Sequence, residues 1–148
     1  MDRYDEIREI ITENAENVDF ADFGNGVSGE WIQKAEKRLK IKLPESYKWW
    51  LKNYSGGEVY GEEIFSIYEM DFDAVVGGDI VYMHELNMRE GLFDDNMLVI
   101  CELSDAVFYF DMSKPGEDDE YPVYEFHTKQ LYARDFIEFL KKFIIEGR

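Results

Sequence analysis

AEKRLKIKLPESYKWWLKNYSGGEVYGEEIF, residues 35–65, reads as the end of one helix, a tight turn and a second helix stopped by two glycines. Ile41 to Leu43 is a short connector. Pro44 suits the first turn of the following helix, where its missing N–H has no intrahelical partner. Tyr47, Trp50, Leu51 and Tyr54 recur at i, i+3, i+4 and i+7, one apolar stripe on a helix. Gly56 and Gly57 end it, because glycine enters the left-handed conformation at little steric cost. Trp49 and Trp50 are adjacent and cannot both face the core. Trp50 joins the stripe, which leaves Trp49 at its boundary.

Upstream, residues 28–40 read as a helix capped by Ser28, with Ile32, Ala35 and Leu39 on its apolar face and Trp31 flanking it. Residues 2–14 form a helix with Tyr4, Ile7 and Ile11 in line, and with Asp2, Asp5 and Glu6 in the first turn, where the helix dipole favours acids. The intervening NVDFADFGNGVSG, residues 17–29, is polar and glycine-bearing and reads as a loop. Downstream the texture turns β-like. Residues 58–60 and 63–68 lean towards strand, and 79–90 place Ile80, Met83, His84 and Asn87 on neighbouring helical turns. MLVICEL (97–103) and VFYFDM (107–112) form a hairpin across residues 104–106, and PVYEFHT (122–128) is a further strand. Residues 131–146 close the chain as a helix through Tyr132, Phe136, Phe139, Leu140 and Phe143. The pattern predicts an α+β fold, an antiparallel sheet with N-terminal and C-terminal helices packed on it. A chain of 148 residues is expected to form one domain, 1–148.

Hydrophobic residues make up 45 % of the chain and aromatics 16 %, too much apolar material for a disordered acidic tail despite a net charge of −17. The charge is segregated. Residues 53–128 hold 19 Asp and Glu against two bases, Arg89 and Lys114, whereas the remainder holds 14 acids and 14 bases. The whole net charge therefore belongs to the middle of the chain. Such a field repels nucleic acid and anionic lipid and attracts basic proteins. No apolar run approaches the roughly 18 residues of a membrane span, and MDRYDEIREI lacks the basic and apolar regions of a signal peptide. With Cys101 as the single cysteine, a cytoplasmic protein without disulfides is expected.

Catalytic, metal and cofactor signatures are not found. His84-Glu85 opens like a zinc motif, but Met88 stands where the second histidine belongs. Asp71 and Asp73 resemble the start of a calcium loop, yet Val76 occupies the position that needs glycine. Cys101 lies within an apolar strand, where thiols are inert. No catalytic residue, metal ligand or cofactor is therefore assigned.

The helix–LP–helix–GG stretch resembles the opening signature of the SUKH superfamily. The matching residues are Leu39, Ile41, Leu43, Pro44, Tyr47, Leu51, Gly56 and Gly57, with Trp31 at the start. Ser55 stands where the family commonly has Asn. The resemblance implies a cytosolic immunity protein of a polymorphic toxin system, which binds a cognate toxin, often a nuclease, and blocks it without catalysis. The likeness extends to members paired with LXG-type toxins. Combined with the charge, it makes the loop acids Asp71, Asp73, Asp94, Asp95, Glu117, Asp118, Asp119 and Glu120 the candidate contacts for the basic cleft of a nuclease domain. The alternatives are a non-catalytic interaction or regulatory scaffold of the same fold and, ranked below both, a small hydrolase using a carboxylate pair.

Overall fold

The computed structural model describes residues 2–147. The Asp2 carboxylate accepts the Asp5 N–H at 2.8 Å and starts α1, Arg3–Glu13, which buries Ile7 and Ile11. Ser28 caps α2, Gly29–Leu39, by accepting the Trp31 N–H, and Ile32 and Ala35 turn inward. Helix α3 runs Glu45–Tyr54, with Pro44 one residue outside it at the N-cap. All four residues of its expected stripe, Tyr47, Trp50, Leu51 and Tyr54, are buried, and the Tyr47 hydroxyl donates to the Phe65 carbonyl at 2.6 Å. Trp49 is half-buried at the boundary, its ring 4.6 Å from that of Tyr4.

The end of α3 differs from expectation in an informative way. Ser55, not a glycine, takes the left-handed cap conformation (φ 67°), and its N–H returns to the Leu51 carbonyl. Gly56 and Gly57 follow with φ 129° and 141°. A side chain on Gly57 would meet the Asp19 carbonyl oxygen at 2.1 Å, so the glycines let the chain lie against residues 18–20. That approach corrects the reading of 17–29 as loop throughout. Val18–Phe20 is strand β1, pairing antiparallel with β2, Gly57–Val59. Strand β3, Glu62–Ile64, completes this sheet through a hairpin whose Tyr60 and Gly61 both have positive φ.

The second sheet is antiparallel in chain order: β4 Met97–Glu102, β5 Val107–Asp111, β6 Val123–Glu125 and β7 Leu131–Ala133. A hydrogen bond from Phe65 N–H to the Ile100 carbonyl, 2.7 Å, joins the two sheets. Between them in sequence lies α4, Ile80–Glu90, capped by the buried Asp79, whose carboxylate accepts from Val81, Tyr82 and Tyr68.

Two further expectations need correction. The closing helix begins at Phe136 rather than residue 131: α5 is Phe136–Glu146, capped by Asp135, and Leu131–Ala133 pairs with β6 instead. The strand expected over 122–128 stops at Glu125, because its carboxylate gathers the His127 and Thr128 N–H groups and turns the chain. From α5, Phe136, Phe139, Leu140 and Phe143 enter the core and meet Tyr47, Trp50 and Phe108. The Tyr47–Phe136 and Phe108–Phe139 pairs pack edge to face, 5.1 and 5.5 Å between centroids, the arrangement that aligns ring edge with ring face.

Candidate partner-binding surface

Folding keeps part of the acidity apart and brings bases of the remainder, Arg38 and Lys42, against acids of residues 53–128. Residues 53–128 supply β2, β3, α4 and β4 to β6, whereas α1, α2 and α5 come from the balanced remainder. Within the small sheet, Asp19, Glu58 and Glu63 stand directly opposite one another across three strands. Like charges in cross-strand register destabilise a sheet, so this acidity is carried at the expense of stability. Glu63, on β3, is eased by accepting a hydrogen bond from the Tyr68 hydroxyl.

The eight candidate acids are not equivalent. Asp71 and Asp73 lie on the segment between β3 and α4, beside a cationic cluster. Arg38 donates to Asp73 at 2.8 Å and to Glu85 at 2.8 and 3.1 Å. Lys34, Lys37 and Arg38 line a shallow depression there with Asp71, Trp31 and Phe72. These bases come from α2 and offset the local field. Asp94 and Asp95 are exposed on the turn between α4 and β4.

The run 117–120 divides three ways. Glu117–Asp119 forms a single 3-10 turn, with Asp118 and Asp119 both at positive φ. Glu120 points inward, 8 % exposed, and accepts the N–H and hydroxyl of Ser46 at the start of α3. Burial pushes its pKa up, against the pull of the two Ser46 bonds. Its carboxylate is therefore committed to the fold and turned away from solvent. Asp119 pairs with Lys42 at 3.3 Å. Glu117 and Asp118 remain exposed, and their side chains form no ion pair among the described residues.

Those two acids line a groove of about 990 Å³ between α1 and α5. Its apolar lining is Ile7, Ile10, Ile137 and Ile145, and Ile145 is 55 % exposed. Residues far apart in sequence meet here. Arg3 bonds Asp135, and Lys141 bonds Glu6 at 2.6 Å. Sequence reasoning missed this groove because nothing local signals that the first and last helices touch. The one readable sign was Ile145, an apolar residue off the buried stripe of α5.

Burial shapes the single cysteine and one of the two histidines. Burial raises the Cys101 thiol to about 12, reinforced by Glu62, Glu102 and Glu63. His84 is buried on α4 with no partner for Nδ1, and burial lowers its pKa against the opposing charges of Asp95 and Glu85. His127 is exposed. Among the described residues no three His, Cys, Asp or Glu side chains are grouped to hold a metal ion. No helix among them is long and apolar enough to cross a membrane.

Among the described residues, five α-helices and two antiparallel sheets make an α+β fold. Residues 29–140 match the family described as SMI1-KNR4 cell-wall, and the chain belongs to this SUKH family. SUKH proteins are generally non-catalytic immunity proteins, and the fold described here is consistent with such a role. The chain is also similar to a protein from Pseudomonas syringae pv. tomato known from its crystal structure. The TM-score is 0.64 at 14 % identity, covering 94 % of this chain and 98 % of that one. At that identity the likeness establishes the shared fold alone.

Proposed function

We propose that this chain, acting as one unit, is an immunity protein that binds a cognate bacterial toxin in the cytoplasm. The toxin is a nuclease of an LXG-type polymorphic system, and its basic active-site cleft is masked without catalysis or cofactor. The observation that carries this reading is the confinement of the entire −17 charge to residues 53–128. A nuclease holds phosphates with Lys and Arg, and a dense carboxylate surface competes for the same cations. Exposed Asp71, Asp73, Asp94, Asp95, Glu117, Asp118 and Asp119 supply that surface, with the Asp19–Glu58–Glu63 ladder as its extension. Long-range attraction of this kind raises association rates to roughly 10⁸ M⁻¹s⁻¹ at low salt. Speed matters when one uninhibited enzyme molecule damages the cell.

The test is co-expression with nuclease toxin domains, beginning with any encoded beside this gene. Growth rescued by the chain, together with a stable complex from purified components, is the expected result. Continued killing by every such domain in cells that accumulate the folded chain would remove the immunity assignment.

A further inference from the structure

We infer that the groove between α1 and α5 is the docking seat for a cationic amphipathic segment of the partner, a deepening of the toxin-binding reading on which it rests for the partner's identity. The groove holds four isoleucines beneath a charged rim. Every cation of that rim is already engaged within the chain. Arg3 bonds Asp135, Arg134 bonds Glu138 at 2.9 Å, Lys141 bonds Glu6 at 2.6 Å, and the Lys142 ammonium donates to the Tyr132 carbonyl at 2.7 Å. Glu117, Asp118 and Glu146 are left without an ion pair among the described residues, against one such base, Lys142, whose bond is to a neutral carbonyl. The field available to an incoming ligand is consequently negative, although bases and acids both line the site.

The apolar part is equally specific. Ile7 and Ile137 are buried and form the floor, whereas Ile10 is half-buried and Ile145 stands 55 % exposed on opposite walls, one on each helix. An apolar floor under a negative rim fits a segment with aliphatic residues along one face and Lys or Arg along its flanks. Helix-in-groove recognition has these features.

The lining acids are held in place before any partner arrives. Glu120 anchors the turn to Ser46, its carbonyl accepts the Gly116 N–H at 2.8 Å, and its N–H returns to the Glu117 carbonyl at 3.1 Å. Lys42 draws Asp119 aside. Only Glu117 and Asp118 of the four-acid run line the groove together with Glu120, whose carboxylate is already committed. A pre-set contact loses little conformational entropy on binding and therefore acts on the lifetime of the complex. Exposed acids outside the groove, such as Asp94 and Asp95, act on the encounter rate instead.

A short helical lysine–leucine peptide is the probe, titrated into isotope-labelled protein at physiological ionic strength and followed by NMR. The expected result is chemical-shift change at Ile10, Ile145, Glu117 and Asp118. The E117K/D118K double variant and Ile145→Asn each weaken binding about tenfold or more. D94K/D95K changes the net charge as much as E117K/D118K but lies outside the groove, and it leaves the affinity within about twofold where salt screens distant charge. Shifts centred elsewhere, or equal weakening by the two lysine pairs, would overturn the assignment. Thermal unfolding of each variant verifies the fold, and the exposed positions chosen leave the core intact. Failure of the toxin reading is seen separately, as absence of growth rescue while the peptide still maps to the groove.

Discussion

Glu120 accepts two hydrogen bonds from Ser46, one from its N–H at 3.0 Å and one from its hydroxyl at 2.8 Å. This pair ties the acidic turn to the start of α3 across a sequence separation of 74. Replacing Glu120 by Ala leaves the buried Ser46 groups unsatisfied, and the unfolding free energy is expected to fall by about 1–3 kcal/mol. Urea unfolding of Glu120→Ala checks this. Stability equal to the wild type would show that the bonds are not formed in solution.

Glu125 uses its carboxylate in a related way with the opposite pH signature. Burial raises its pKa, but the Val107, His127 and Thr128 N–H groups outweigh that and hold it at about 2, against an ordinary 4.5. A depressed carboxylate stabilises the fold above the unfolded value and loses that contribution as pH falls through the folded one. Glu125→Gln should be less stable than the wild type at neutral pH by about 1 kcal/mol or more. The gap should close between about pH 4.5 and pH 2. Denaturant titrations at both ends of that window decide it, and a gap independent of pH contradicts the assignment.

His84 makes the protein sensitive in a higher range. Burial lowers its pKa below 6.5, so the unfolded chain takes up the proton first and stability declines as pH drops below that value. Asp95 and Glu85 oppose the shift, and the ring's Nδ1 has no hydrogen-bond partner. Substituting Leu removes both the titration and the unsatisfied nitrogen. His84→Leu is expected to fold at least as stably as the wild type near pH 6 and to lack the decline that begins there. A decline identical in the two proteins would place its origin in another group.

The helix–LP–helix stretch was legible because its chemistry is local: a capping Ser28, a fixed proline and a stripe at helical spacing fall within a few residues of one another. The hairpin of β4 and β5 was legible for the same reason. Strand β1 was not, since Val18–Phe20 is extended only because Gly56 and Gly57 bring another backbone beside it. Strand β7 was hidden inside an apolar pattern that continues into α5, and the boundary is set by the Asp135 cap. The acidic candidates were visible as residues but not as geometry. Nothing in the run EDDE distinguishes the inward Glu120 from Glu117 and Asp118, because the distinction is made by Ser46 and Lys42 from another part of the chain.

Ser55 offers a stabilising substitution. It holds φ 67° at the end of α3, a conformation that asparagine tolerates better than serine. Ser55→Asn is expected to add about 0.5 kcal/mol, read as a rise in thermal midpoint. An unchanged or lower midpoint would show that the cap is not strained by serine.

Capture of a cationic partner by an anionic surface leaves its mark on the rate of encounter. The most direct measurement is the association rate constant with a toxin domain that this chain neutralises, followed by stopped-flow fluorescence across a range of salt concentrations. Electrostatic capture predicts a rate that falls steeply as ionic strength rises, with the dissociation rate changing much less. An association rate indifferent to salt would contradict the account.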